Sequence, residues 1–298
     1  MKKLLILSGK GGTGKTTTAA SFIRFSQAGA IADCDVDAPN LHIVAQVKGE
    51  PEPAAFYGGD KAEIDPEKCV GCGLCAEHCR FDAIRSENGI YKVREFSCEG
   101  CGVCTYVCPQ QAVTLHPDAA GDLELYRGNP TFATAKLKMG RGNSGKLVTE
   151  VKNTMIRNAE AELAIVDGSP GIGCPVIASV SGMDLVLIVA EPSLSGRSDL
   201  ERILKTASIL GTPAAVCVNK YDTSLENAQA IEDFCQQQKI PFVGRIPYDK
   251  TASAAINAGK SIADFDCPAR RALYMVYQNT MKLLGVDLYG HLTLETLF

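Results

Sequence analysis

The apolar positions of this chain come in short unbroken runs separated by stretches of helical spacing. Lys3–Leu7, Ala30–Asp33, Ala161–Asp167, Asp184–Ala190, Ala214–Asn219 and Phe242–Pro247 are mostly apolar without strict alternation, as strands covered on both faces are. Helical patterns lie between them: from the residues after Gly14 to about Gln27, over Ser198–Leu210, and over Ser224–Lys239. This alternation predicts an α/β fold, a doubly wound and mostly parallel sheet with helices on both faces. Ligands of such sheets sit at the carboxyl ends of the strands. The middle of the chain breaks the pattern. Pro51–Gly59 reads as a linker leading out, and His116–Pro130, with Gly121, Gly128, Asn129 and Pro130, as one leading back before the alternation resumes near Thr131.

Composition narrows the classes. The chain has 298 residues, with 30 Lys and Arg against 34 Asp and Glu, so its formal charge of −4 gives no global positive field for nucleic acid or an acidic membrane. Asp184–Ala190 is among the longest apolar runs, far short of the ~20 residues that span a bilayer. Met1–Ser8 is basic then apolar but too short for a signal peptide. A cytoplasmic globular protein is expected, with no membrane and no nucleic acid among its partners. The 13 cysteines are the anomaly.

Eight of them form two runs, Cys69-x2-Cys72-x2-Cys75-x3-Cys79 and Cys98-x2-Cys101-x2-Cys104-x3-Cys108-Pro109, with an offset of 29 for each pair (69/98, 72/101, 75/104, 79/108). The flanks repeat as well: Ala83-Ile84 matches Ala112-Val113. Disulfides are disfavoured in a chain with no export signal, and zinc usually takes separated Cys pairs rather than runs of four. Three thiolates on a tight glycine-bearing loop, with a fourth from elsewhere, suit a [4Fe–4S] cubane. Residues 61–117 resemble a bacterial-type two-cluster ferredoxin domain, an α+β module. In that pattern the fourth cysteine of each run serves the other cluster. The resemblance therefore implies Cys69, Cys72, Cys75 and Cys108 on one cluster, and Cys98, Cys101, Cys104 and Cys79 on the second. Arg80 follows Cys79 where Pro109 follows Cys108, which touches the exit turn rather than the ligands. His78, between two ligands, reads as a neighbouring or surface residue.

The first strand runs straight into Ser8-Gly9-Lys10-Gly11-Gly12-Thr13-Gly14-Lys15-Thr16-Thr17-Thr18, a Gly-x4-Gly-Lys-[Ser/Thr] phosphate loop in strand–loop–helix context. Its glycines let backbone amides turn toward phosphate oxygens. Lys15 is expected on the β- and γ-phosphates, and Thr16 on Mg²⁺. Lys10 makes this the deviant form of the MinD/ParA superfamily, which also holds the nitrogenase iron protein and the Mrp-type cluster proteins. The chain is identified as a member of that superfamily, of the group carrying an inserted ferredoxin domain. The resemblance implies that Lys10 reaches the partner's phosphates across an ATP-sandwiched homodimer; a solvent-facing loop lysine is the alternative.

Asp33-Cys-Asp35-Val-Asp37-Ala-Pro-Asn40 is similar to the superfamily's first switch. The similarity implies Asp35 as the group that positions the attacking water, with Asp33 near the waters of Mg²⁺. Asp37 is an extra acid that could shift the catalytic role by two places. Ala161–Asp167, followed by Gly-Ser-Pro-Gly171, looks like the Walker B strand and second switch, with Asp167 on Mg²⁺ through water. Asn219 ends a strand with an amide able to pair with the adenine edge, and Pro247 lies in the loop expected beside the base. Asn219-Lys220-x-Asp222 also occurs in GTPases, but the deviant loop favours ATP.

The boundaries expected are therefore 1–60 and 118–298 for the P-loop ATPase domain, and 61–117 for the ferredoxin insert. Cys174, seven residues after Asp167, resembles a position where the nitrogenase iron protein holds a bridging cluster, but no cysteine lies between Cys108 and Cys174 to complete such a set. Cys34, Cys217 and Cys235 read as packing. Lys136, Lys138, Arg141 and Lys146 form a basic stretch with no acid until Glu150, either a solvated strand end or a dock for an acidic redox partner or nucleic acid. The tail Asp287–Phe298 has no lysine or arginine and is unlike MinD's basic membrane helix. Three functions fit: ATP-dependent transfer of low-potential electrons to a partner protein, an iron–sulfur carrier or assembly ATPase, and a MinD/ParA-like spatial organiser with redox-sensing clusters. Eight ligands in full ferredoxin arrangement favour the first.

Overall fold

The computed structural model describes residues 1–287, so the tail from residue 288 read above lies outside the described residues. The strands run in chain order as β1 (Lys2–Leu7), β2 (Ala30–Asp33), β3 (Glu52–Ile64), β4 (Ile84–Glu87), β5 (Ile90–Val93), β6 (Val113–Tyr126), β7 (Thr131–Leu137), β8 (Leu163–Asp167), β9 (Leu185–Ala190), β10 (Ala214–Asn219) and β11 (Phe242–Ile246). The described chain divides into two compact units: residues 1–53, 123–136 and the described residues from 144 on form the first, and residues 54–122 and 137–143 the second.

In the first unit the sheet order is β11-β10-β9-β1-β8-β2-β7, with β6 and β3 completing the hydrogen-bonded order. Each of the pairs β1–β8, β1–β9, β2–β7, β2–β8, β9–β10 and β10–β11 is parallel. Leu4, Leu5, Ile6 and Leu7 of β1 are all fully buried, which explains why the central strands read as continuous apolar runs: helices cover both faces. One layer is the helix Lys15–Ser26, whose Phe22 meets Tyr277 of the last helix, Pro268–Leu284, edge to face at 5.2 Å. The register matters for function. Asp33 pairs with Asp167, and Ile6 with Asp167, so the carboxyl ends of β1, β2 and β8 come level.

The second unit repeats itself. Helices Leu74–Glu77 and Val103–Val107 each follow a left-handed glycine, Gly73 (φ 84°) and Gly102 (φ 79°). Gly71 and Gly100 are left-handed too, and a Cβ on Gly100 would lie 2.1 Å from the Asp60 carbonyl oxygen, so both copies of the cysteine loop demand glycine there. β4 and β5 form an antiparallel hairpin across Asn88-Gly89, a turn pair suited to a two-residue hairpin loop. Ala62, Ala83, Ile84 and Val113 form a small core with Cys75, Cys98 and Cys104.

The structure differs from the sequence expectation in the middle of the chain. Residues 52–59 and 116–126 of the stretches read as linkers lie in β3 and β6, through which the chain passes between the units, whereas Gly128, Asn129 and Pro130 do form the turn before β7. Pro53 stands at the start of β3, the last strand of the order, where an edge tolerates a missing N–H donor; local breakers therefore did not mark a loop. The second unit is wider than 61–117 and takes in 137–143, because Arg141 pairs with Asp118 at 3.0 Å and with Glu95. That pairing also corrects the reading of the basic stretch. Arg141 is turned inward and Lys138 faces Asp122 at 3.7 Å, so acids distant in sequence neutralise part of it.

Candidate nucleotide site and cysteine centres

The loop between β1 and the helix Lys15–Ser26 closes on Gly14, whose φ of 97° is left-handed. A Cβ there would stand 2.2 Å from Asn219 Nδ2, so only glycine admits this close approach. Asn219 Nδ2 donates to the Thr13 carbonyl at 2.7 Å, and its Oδ1 accepts from the Lys220 N–H at 2.9 Å. The amide expected on the adenine edge is thus committed to pinning the loop to the end of β10. Gly11 and Gly12 present open backbone, with no heavy atom where a Cβ would face. Thr13 Oγ1 is buried without a partner.

Lys15 and Thr16 both turn to Asp167. Lys15 Nζ lies 2.8 Å from Asp167 Oδ1, and Thr16 Oγ1 donates to Asp167 Oδ2 at 2.7 Å. Lys15 Nζ is also 3.7 Å from Asp35 Oδ2. Burial alone would lower the Lys15 pKa, but Asp167, then Asp35 and Asp33, raise it, so the ammonium is held charged. Asp33 is fully buried, and its pKa is pushed up to about 7 by that burial and by the neighbouring Asp167. Its two oxygens accept backbone N–H groups from Asp35 (3.0 Å), Asn40 (3.0 Å) and Leu41 (2.9 Å). Asp33 therefore folds the loop that carries Asp35. Burial also raises the Asp35 carboxyl, against the pull of Lys15. Of the two acids left open by the sequence, Asp35 is the one beside Lys15, whereas Asp37 is exposed.

A cavity of about 150 Å³ adjoins the loop. Gly12, Gly14, Thr17, Asn219 and Lys220 line one side, and Ile246, Pro247, Ile256, Ile262 and Leu273 supply an apolar slot. Asp222 is not in this lining; its Oδ1 accepts the Tyr248 N–H at 2.7 Å and ties the two loops together. No sequence pattern pointed to Glu191, which follows β9 and receives Lys10 Nζ at 2.8 Å and Lys220 Nζ at 3.6 Å. It also missed Lys152, whose buried ammonium donates to the carbonyls of Ala178 (2.6 Å), Ser179 (2.9 Å) and Ser181 (2.6 Å) at the end of the helix Cys174–Val180. A single lysine inside an amphipathic pattern carries no local signal for either contact.

In the second unit all eight cysteines are free thiols. Cys69, Cys72, Cys75 and Cys108 line one cavity; Cys98, Cys101, Cys104 and Cys79 line another. Backbone N–H groups point at the sulfurs: Ala62 and Gly100 at Cys98 (both 3.4 Å), Ala83 at Cys79 (3.4 Å) and Ala112 at Cys108 (3.3 Å). Among the described residues no three His, Cys, Asp or Glu side chains converge as ligands of a single ion; the thiols ring a space instead. Cys174 is exposed at its helix start, whereas Cys34, Cys217, Cys235 and Cys267 are buried. Burial raises the Cys34 and Cys217 thiols far above their ordinary range, in keeping with packing roles.

The profile of the CbiA family, the CobQ/CobB/MinD/ParA nucleotide-binding domain, matches residues 4–262. The chain belongs to this family. Among similar proteins, an uncharacterised protein of Methanocaldococcus jannaschii is 36% identical over 223 residues, which covers 73% of this chain and 78% of the relative. An iron-sulfur cluster carrier protein of Pyrococcus horikoshii is 24% identical, covering 95% of this chain and 86% of its own. In fold, the CobQ/CobB/MinD/ParA chain is similar to the cell division ATPase MinD of Pyrococcus furiosus, with a TM-score of 0.57 at 17% identity, covering 95% and 99% of the two chains. No helix among the described residues is long and apolar enough to cross a membrane.

Proposed function

We propose that this protein is an ATPase whose nucleotide-dependent homodimerisation is coupled to electron transfer through two [4Fe–4S] clusters. The observation that carries the reading is the sorting of eight cysteines into two cavities, each lined by three members of one run and the fourth of the other, in a chain that also holds a complete phosphate loop. Four thiols around a space, with N–H donors on the sulfurs, fit a cubane better than one ion. Cys69, Cys72, Cys75 and Cys108 would hold one cluster, and Cys98, Cys101, Cys104 and Cys79 the other. When bound, these groups supply one-electron redox chemistry.

The nucleotide half works through its own side chains. Lys15 exchanges its contact with Asp167 for the β- and γ-phosphates, and Gly11, Gly12 and Gly14 let amides approach them. The Mg²⁺ that accompanies ATP would be held by Thr16 and, through water, by Asp167. The buried, unpartnered Thr13 hydroxyl sits in the same loop and suits a phosphate or ribose oxygen. Asp35, freed when Lys15 turns away, orients water for in-line attack on the γ-phosphorus. The new P–O bond forms as the bond to the leaving ADP oxygen breaks, giving ADP and phosphate. The apolar slot around Pro247 stacks a purine; Asp222 lies outside the lining, tied to Tyr248, and Asp249, the carboxylate within it, accepts the Thr251 and Ala269 N–H groups.

A cluster carrier is the second reading, favoured by the relative of that name. Anaerobic titration of the cluster potentials with and without a non-hydrolysable ATP analogue separates the two. Electron transfer requires potentials that move with nucleotide; unchanged potentials, together with loss of iron to an apo-ferredoxin acceptor, would overturn it in favour of delivery.

A further inference from the structure

Lys10 is not a free loop lysine in the isolated chain. Its Nζ lies 2.8 Å from Glu191 Oε2 and 3.3 Å from Ser195 Oγ. Glu191 carries a second lysine on its other oxygen, Lys220 Nζ at 3.6 Å. The two lysines are anchored differently. Lys220 Nζ also donates to the Gly12 carbonyl at 2.8 Å, its backbone N–H is held by Asn219, and its φ of 53° is fixed by the end of β10. The second contact of Lys10 Nζ, to Ser195, is longer, and its side chain is 41% exposed against 29% for Lys220. The backbone of Glu191 is held in place. The Ser193 N–H donates to the Glu191 carbonyl at 2.8 Å, and a Cβ on Gly196 would lie 2.2 Å from that oxygen. Hydrogen bonding from Lys10, and the charge of Lys10 and Lys220, keep the Glu191 carboxyl below its ordinary range.

We infer that Glu191 is a berth for Lys10 in the open monomer, and that Lys220 is the resident counter-charge that lets Lys10 leave it. This rests on the nucleotide-dependent dimer proposed above. One ammonium cannot sit on its own chain's Glu191 and on a partner's phosphate together, so closure breaks the Lys10–Glu191 pair. A lone carboxylate uncovered at an interface would resist that step. With Lys220 beside it, Glu191 keeps a counter-charge when the closer, half-exposed Lys10 pair is broken. Glu191 is then a positioning residue, acting through Lys10 without touching nucleotide.

Two substitutions move the equilibrium in opposite directions. Glu191→Gln weakens the berth, tightening the dimer formed with a non-hydrolysable ATP analogue about two- to five-fold per protomer, the range of an exposed pair. Lys220→Met leaves Glu191 with Lys10 alone and loosens the dimer, with nucleotide affinity measured separately. Sedimentation equilibrium reads both. A second readout needs no dimer: under limiting amine acylation of the nucleotide-free protein, peptide mass spectrometry follows Lys10 against the exposed Lys48. Lys10 reacts faster in Glu191→Gln than in the wild type. Ser195→Ala, which removes the weaker acceptor, moves both readouts the same way by less, and serves if Glu191→Gln does not fold. Unchanged Lys10 reactivity, or a dimer weakened by Glu191→Gln, overturns the berth. A wild type that stays monomeric with the analogue overturns the dimer reading and the release step, while acylation still decides the berth.

Discussion

Lys15→Met tests the electrostatics of the site without any nucleotide. The ammonium is 5% exposed and stands among three acids, of which Asp33 and Asp167 are fully buried. Methionine keeps the stem and removes the charge, leaving Asp167 with the Thr16 hydroxyl and taking from Asp35 the ammonium 3.7 Å away. Breaking a buried pair by deleting one partner costs about 3–5 kcal/mol, which lowers the melting temperature of a domain of about 200 residues by roughly 6–15 °C. The deficit depends on pH. The folded-state pKa of Asp33 is raised to about 7 by burial and Asp167, above its unfolded value. Stability tied to its protonated form is therefore present at acid pH and lost as pH rises through 7. Lys15 opposes that loss by favouring the carboxylate, so the variant's deficit is larger at pH 8 than at pH 5. Adding Asp167→Asn recovers part of it. The assay is thermal melting of the nucleotide-free full chain by far-UV circular dichroism under anaerobic conditions, at pH 5, 6.5 and 8. A melting point within about 2 °C of wild type at pH 8, or an equal deficit at pH 5 and 8, would refute the reasoning.

Further outcomes are expected at other positions. Asp35→Asn lowers kcat for ATP hydrolysis about 10²-fold or more while leaving ATP affinity near wild type, as read by steady-state kinetics and calorimetry. Asp33→Asn acts through the backbone instead: one of its acceptor positions becomes a donor, so hydrogen exchange quickens at the Asp35, Asn40 and Leu41 amides that it holds. Gly14→Ala forces a Cβ to 2.2 Å from Asn219 Nδ2 at a φ of 97° and abolishes nucleotide binding in a filter or fluorescence assay. Cys79→Ser perturbs the cluster of Cys98, Cys101 and Cys104, and Cys108→Ser that of Cys69, Cys72 and Cys75. Electron paramagnetic resonance of the two variants should show different surviving signals. Lys152→Met leaves the Ala178, Ser179 and Ser181 carbonyls without their charged donor and lowers stability by about 2–4 kcal/mol, measured by urea unfolding.

Much of this site was legible before folding because its chemistry is local. The phosphate loop needs glycines and Lys15 within a few residues of a strand end, and the cysteine runs need a fixed spacing to bring thiols around one space. Continuous apolar runs foretold a sheet covered on both faces. The misreadings have one cause. Residues 52–59 and 116–126 carry the residues of loops, but β3 and β6 run through them, so breakers near a sheet edge did not break it, whereas Gly128, Asn129 and Pro130 do mark the turn before β7. Arg141 looked like part of a basic stretch because its partners Glu95 and Asp118 are 46 and 23 positions away.

The division of roles among the acids shows where sequence stops. Asp33, Asp35, Asp37 and Asp167 are equivalent as letters, and the pattern alone left the attacking-water role open between Asp35 and Asp37. The register of β2 against β8 sets Asp33 level with Asp167, and backbone amides then claim Asp33's oxygens and leave Asp35 facing Lys15. Lys10 was visible as a member of a motif, but its own-chain partner Glu191 was not. The sequence by itself determined which chemical groups the chain carries and the local loops that present them, because those depend on bonding between near neighbours. Only the tertiary structure decided which acid meets which lysine, because that depends on strand order and burial.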